Sequence, residues 1–359
     1  MTVQYASEGV PLPNAGGRLG VLVLEVEVEV SGPIHLGQFP GASIRGAVGK
    51  VLRSATCLSG APACSGPAGL CPLVRQCCYG YLWELSRHRS GESGWFPQPM
   101  APYLFNAPWS PHGVRLKDGN RFSFEVKLLG AARAHAPAVA LAIRDAFDGW
   151  VHEPTNRGRH RLLWISRHES DNRRVPITFG ARVDDASARP THWVTAPAID
   201  PATDDHGWLR LRSPLWLRGE KKRFLSTFEP ERFTADLVRR ITHLSEFHEG
   251  APIRFDWPQL RAQAKAVEVA DASWVREFHA SRAKSGTDQE APVQGLTGSV
   301  MLRSVAPELS SLWKQARWVH AGHESLLGLG HAVWEPALRE GRAGKRRAAV
   351  ASTLDTVDG

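Results

Sequence analysis

The chain has 359 residues, enough for two ordinary domains that each bury a core without disulfide or metal staples. Lys and Arg number 44 against 36 Asp and Glu, and the sequence pI is about 9.5, a balance that favours an anionic partner, nucleic acid first, although solubility alone also uses such an excess. No apolar run reaches the ~18 residues of a membrane span, no basic start leads into an apolar secretory core, and all five cysteines crowd into 57–78, so the expectation is a cytoplasmic protein with no membrane partner and no disulfide framework.

Residues 19–30 (LGVLVLEVEVEV) alternate strictly, with Leu22, Leu24, Val26, Val28 and Val30 on one face and Glu25, Glu27 and Glu29 on the other, which predicts a strand buried on one side. After a Ser31-Gly32-Pro33 turn the spacing becomes helical over 42–56, with Ile44, Val48, Val51, Leu52 and Ala55 in one stripe. A Cys/Gly/Pro-rich insertion occupies 57–100. Strands are predicted at 102–108, at 121–129 (RFSFEVKLL) and at 162–166, with a helix at 137–147 opening on a proline. The second half repeats the order: strand 208–217, helix 229–247, strands 265–274 and 293–302, helix 307–319 and strand 330–334. The fold class read from this is α+β, as two tandem ferredoxin-like βαββαβ domains, 1–180 with the insertion and 207–336, joined by a connector at 181–206 and followed by a disordered tail at 337–359.

Four local patterns bear on chemistry. The stretch GHESLLGLGHAVW at 322–334 runs a glycine-punctuated loop into a strand, and glycines there let backbone N–H groups approach phosphate oxygens closely. Arg157, Arg159 and Arg161 open the densest run of cations, which continues through Arg167, Arg173 and Arg174, with Trp150 and Trp164 beside it; an RNA stem could be clamped there, or the run is a solvated connector. Arg276, His279, Arg282 and Lys284 follow Trp274, and because strand alternation would split them between faces, a basic loop is expected. Cys57, Cys64, Cys71 and Cys78 recur every seven residues with Cys77 adjacent, but the short Cys-x-x-Cys knuckles of structural zinc are absent, so zinc is possible and not favoured.

Four segments resemble the CRISPR-associated precursor-RNA processing endoribonucleases of the RAMP superfamily: FPGASIRGAVG at 39–49, similar to a Gly-x-x-x-Arg-Gly helix opening; CYGYLWE at 78–84; WVREFHASR at 274–282 with QGLTG at 294–298; and HAGHESLLGLG at 320–330. The resemblance covers most of 19–335 in order. It implies an RNA hairpin bound across two domains and metal-independent cleavage that leaves a 2′,3′-cyclic phosphate, with no catalytic metal and no small-molecule cofactor. The enzyme often stays on the guide RNA, so CRISPR repeat RNA and other CRISPR effector subunits are the implied partners. Because this family commonly places a general acid or base between the first strand and first helix, His35 is the first catalytic candidate, with Arg45 and Lys50 behind it on the helix. Capping of the turn by His35 and a structural role for Arg45 are the alternatives. RNA contacts are expected from Arg53, Arg157, Arg159, Arg161, Arg276, His279, Arg282, Lys284, His323, Gly328, Gly330 and His331. A non-catalytic RNA-binding subunit fits the same glycine loop, and an unrelated basic α/β enzyme would show little affinity for a hairpin.

Overall fold

The computed structural model describes residues 17–57, 71, 73, 76–84, 99–148, 159–171, 173–177, 189–197, 205–219, 223–283 and 290–337. Alternation at the start of the chain becomes β1 (Arg18–Ser31), and a short β2 (Ile34–Leu36) leads into α1 (Pro40–Thr56), whose first residue is the proline that suits a helix start. After one π turn at Gly80–Glu84 come β3 (Tyr103–Asn106), β4 (Val114–Leu116), β5 (Arg121–Leu129), α2 (Ala136–Asp148), β6 (Arg159–His168) and β7 (Arg174–Pro176). The stretch expected to be a connector contributes a strand, β8 (His192–Thr195), which pairs with the first four residues of β1. It is therefore built into the first sheet rather than spanning between halves.

The second half is β9 (Gly207–Leu215), α3 (Pro230–Glu249), α4 (Trp257–Ala266), β10 (Glu268–Asp271), β11 (Arg276–Ala283), β12 (Glu290–Arg303), α5 (Pro307–Lys314), α6 (Ala316–Val319) and β13 (Ala332–Pro336). The strand expected at 265–274 is corrected to the end of α4 plus β10. Asp256 caps that helix, accepting from the Gln259 N–H at 3.1 Å, so the backbone is committed to a helix before the apolar stretch begins. The loop expected around Arg276 is a strand, with β11 paired to β12 from Arg276↔Thr297 to Ala283↔Glu290.

Both large sheets are antiparallel and share one pattern. The first runs β3-β5-β1-β6 and the second β10-β12-β9-β13, so in each half the four principal strands lie in the order second, third, first, fourth. α1 and α2 pack on one face of the first sheet through Ile44, Val48, Leu52, Val139, Ile143 and Phe147. The other face is shared. Leu19, Val21 and Val23 of β1 enter one cluster with Phe233, Leu237, Ile241 and Leu244 of α3. This explains why β1 is buried on both faces at its start and alternates only from Glu27 onward.

Polar contacts fasten that junction. Glu249 accepts from the Gly20 N–H at 2.8 Å and pairs with Arg133 at 2.9 Å. The Tyr81 hydroxyl donates to His248 Nδ1 at 2.8 Å, and His248 Nε2–H donates to the Met100 carbonyl at 2.8 Å. With one ring nitrogen accepting and the other donating, His248 is a neutral imidazole, and burial pushes it down to about 4.

Candidate active site and nucleic-acid interface

His35 lies in the middle of a two-stranded ribbon made by β2 and β4, where the triplets Ile34-His35-Leu36 and Val114-Arg115-Leu116 pair with His35 directly opposite Arg115. Both side chains are exposed. The His35 Nε2–H donates to the His112 carbonyl at 3.3 Å, which leaves Nδ1 as the atom able to exchange a proton. A Cβ on Gly113 would sit 2.6 Å from His35 Nε2 and 2.7 Å from the Leu36 carbonyl, and its φ is +73°, so the turn before β4 is closed tightly on the histidine. Gln38 Nε2–H donates to the Pro111 carbonyl at 2.5 Å and ties the start of α1 to the same turn.

An apolar seam brings the second half up against this ribbon. Phe278 of β11 meets Phe39 edge-on at 6.2 Å and Trp109 edge-on at 5.2 Å between ring centroids. Trp216, Val293, Leu327 and Leu329 complete the seam. The β11–β12 hairpin is thereby anchored beside β2, β4 and the first turn of α1. On the hairpin, His279 pairs with Glu277 at 2.8 Å, Arg282 with Glu324 at 3.5 Å, and one Arg276 nitrogen donates to the Ser273 and Val275 carbonyls, holding the turn that precedes the strand. Alternation separates Arg276 and Arg282 from His279, as the sequence pattern demands, but on a strand and not a loop.

Other expected residues are placed elsewhere. Arg45 donates through Nε to the hydroxyl of fully buried Tyr103 at 2.6 Å, beside Trp83, which stacks on Tyr103 at 4.5 Å. Lys50 is exposed, about 15 Å along the α1 axis from Pro40. Arg53 is near the end of α1, over the Tyr79 ring at 5.7 Å. Arg161 pairs with Glu29 at 2.9 Å, Arg167 with Glu169, Arg173 with Glu169 at 3.6 Å, and Arg174 with Glu25 at 2.8 Å, so the arginine-rich run is matched by carboxylates. Arg159 begins β6, opposite Ser31. Arg157, Lys284, Trp150 and Cys64 lie outside the described residues.

The glycine bend corrects its own expected reason. Gly328 and Gly330 are buried with φ of +84° and +73°, and their N–H groups donate to Ser325 and Pro214 carbonyls at 2.9 Å each. A Cβ would lie 2.6 Å from the Phe105 carbonyl at Gly328 and 1.7 Å from the Ala321 carbonyl at Gly330. The close approach that requires glycine is to this chain's own backbone, and those amides are not offered to phosphate. The bend fits under β3 and α1 and seats the second half on the first.

Its histidines carry no charge at neutral pH. Burial, with Arg218 and Arg239 nearby, pushes His323 down to about 4. Burial, with Lys127 next, pushes His331 down to about 3. His320 is wholly buried: Nδ1–H donates to the Leu329 carbonyl at 3.0 Å, Nε2 faces Lys127 Nζ at 3.5 Å, and the ring stacks on His331 at 4.9 Å.

Cys71, Cys77 and Cys78 are buried in the first core with Cys57 packed at its edge, and burial, then Cys77, pushes the Cys78 thiol up to about 12. Among the described residues no group of three or more His, Cys, Asp or Glu is placed to hold a metal ion.

The family model for the CRISPR-associated endoribonuclease Cas6 matches residues 209–332, and an N-terminal domain model, AF_1859_N, matches residues 19–186. The second half of the chain is thus similar to the Cas6 endoribonuclease family. Among solved structures, a Cas6 product complex of the Thermus thermophilus protein is 17% identical with a TM-score of 0.50, covering 88% of this chain and 100% of that one. A Cas6-RT-Cas1–Cas2 complex is 11% identical with a TM-score of 0.51, covering 89% of this chain and 29% of that one. At these identities the likeness establishes a shared fold. No curated protein matches the chain. The match of residues 209–332 to the Cas6 model supports a role in processing or binding CRISPR RNA, and no described helix is long and apolar enough to cross a membrane.

His112 and Arg115 were missed by sequence reasoning. Their signal was present: two apolar–basic–apolar triplets flanked by turn residues, Ile34-His35-Leu36 after Gly32-Pro33 and Val114-Arg115-Leu116 after Gly113.

Proposed function

We propose that the chain is an endoribonuclease of two tandem ferredoxin-like domains that binds a CRISPR repeat hairpin and cuts it without metal, leaving a 2′,3′-cyclic phosphate and keeping the product. The observation that carries this reading is the exposed His35–Arg115 pair on a two-stranded ribbon, next to the basic β11–β12 hairpin, in a chain whose second half matches the Cas6 endoribonuclease model.

In this mechanism the 2′-oxygen attacks the adjacent phosphorus as its proton leaves to a base, and the P–O5′ bond breaks as an acid protonates the departing oxygen. His35 exchanges a proton through Nδ1 while Nε2–H holds the His112 carbonyl. Arg115, exposed and without an ion pair among the described residues, supplies positive charge to the phosphorane. Arg276 and His279 on the hairpin contact the flanking backbone. Retention of the product would suit association with other CRISPR effector subunits in the cytoplasm.

Incubating the purified protein with a labelled repeat hairpin in EDTA tests the reading. A discrete cut bearing a cyclic phosphate is the expected result. Tight binding with no cut assigns the chain instead to the non-catalytic RNA-binding subunits, and negligible hairpin affinity rejects both.

A further inference from the structure

The uncovered part of the first sheet forms the floor of a cleft of about 340 Å³, lined among others by Glu25, Asn106, Trp109, Ser123, Glu125, Arg212 and His331. Its position follows from strand register. Asn106, Glu125 and Glu25 lie side by side across β3, β5 and β1, one row beyond Leu104, Lys127 and Val23, where the second half comes down on the sheet. Arg212 and His331 form the wall contributed by the second half. Trp109 belongs to the segment that continues, three residues on, into His112 and the His35 ribbon.

The floor is an unusual choice for stability. Glu25 and Glu125 are direct cross-strand partners, and like charges so placed repel. Each has hydrogen-bonding or ion-pair partners beside it. Glu25 binds His168 at 2.6 Å and Arg174 at 2.8 Å, and Glu125 faces Lys127 at 3.4 Å and accepts from Asn106 Nδ2–H at 3.0 Å. Burial works against the charge on Glu125, yet Lys127 and Asn106 keep its carboxyl below the usual range. Two carboxylates in one cleft turn a phosphate away. They invite a group rich in donors. Across from them, Arg212 offers the opposite chemistry, a donor fork half-occupied by Glu335 at 3.2 Å.

We infer that this cleft reads one unpaired guanine of the RNA, with Glu125 accepting from the base's N1–H and 2-amino group, Arg212 donating to O6 and N7, and Trp109 stacking on the ring. Guanine alone among the four bases presents two adjacent donors to a carboxylate and two adjacent acceptors to a guanidinium. Adenine and cytosine each bring a single amino group to that edge, and uracil a single N–H. Stacking on an indole adds affinity for any base, so the selectivity rests on the carboxylate and the arginine. The inference depends on the RNA-processing reading above and names a specificity determinant within it.

The test uses the full-length protein and a pool of RNAs that share one hairpin and carry randomised single-stranded flanks. RNAs retained by the protein are sequenced. The expected result is one flank position enriched in G, and a roughly tenfold affinity loss when inosine, which lacks the 2-amino group, replaces that G. Glu125→Gln should flatten the preference among the RNAs still retained. Arg212→Met, a change at a more exposed side chain, should do the same if Glu125→Gln folds poorly. Retention of RNA with no positional G preference, or a preference indifferent to inosine and to both variants, overturns the guanine pocket while leaving RNA processing intact. Failure to retain any hairpin removes the underlying reading instead, so the two failures are separable.

Discussion

His35 and Arg115 meet as a pair because each occupies the middle of a three-residue strand, so their roles separate cleanly by substitution. His35→Ala removes the proton-exchanging Nδ1 and is expected to slow hairpin cleavage by about 10²- to 10⁴-fold with affinity nearly intact, read by single-turnover kinetics in EDTA. Arg115→Ala removes charge stabilisation and should slow the same step by about 10- to 100-fold. Cleavage at the native rate in both variants would remove the ribbon from the mechanism. Arg45 belongs to a different class, since its bond to Tyr103 makes Arg45→Ala a loss of a buried partner, to be read in thermal stability before activity. Gly330 is stricter still. An alanine there must displace the Ala321 carbonyl at a φ of +73°, and a loss of about 2–4 kcal/mol is expected in a denaturation midpoint.

At the level of elements, the β11–β12 hairpin meets the candidate-site ribbon through a seam centred on Phe278 and its neighbours Phe39 and Trp109. Phe278→Ala should therefore loosen β11 locally: amide exchange in 276–283 accelerates, β9 and β13 stay protected, and hairpin RNA affinity falls. Equal acceleration across the whole second sheet would show that the seam stabilises the fold and not the hairpin alone. What could be read in advance follows the same division. β1, β5, α1, α3 and β9 were legible because each carries a long period of two or of 3.6 residues. The sharing of β1 between two cores was not, since alternation reports that Glu27 and Glu29 are wet but cannot say that α3 covers Leu19, Val21 and Val23. β2 and β4 are too short to show a period, and His35 finds His112 at 77 positions' distance, so half of the candidate site was visible only as an isolated histidine. The glycine bend was located correctly and explained wrongly. A sequence shows that glycine is needed, while only packing shows whether Phe105, Ala321 or a phosphate is what comes close.

Across the whole molecule, the two halves are joined by imidazoles that must stay neutral. His248 holds Tyr81 to Met100, His320 holds Leu329 and faces Lys127, and His331 stacks on His320. In the folded chain His248 is near 4 and His331 near 3, with His320 also well below its ordinary value, chiefly through burial. An unfolded chain takes up these protons near pH 6.5. Between that pH and about 4 the unfolded state binds more protons than the folded one, so stability falls as pH falls, by up to about 1.4 kcal/mol per pH unit for each histidine that remains neutral in the fold. The contribution is complete above pH 6.5. The urea midpoint is therefore expected to decline steadily from pH 7 to pH 5, before most carboxylates titrate. In His320→Asn the side-chain amide keeps a donor for the Leu329 carbonyl without a basic nitrogen, and the decline should be shallower at a lower starting stability. A midpoint flat over that interval would mean that the junction tolerates charged imidazoles, and that the apolar contacts of β1 with α3 and the Glu249 bonds hold the halves without them.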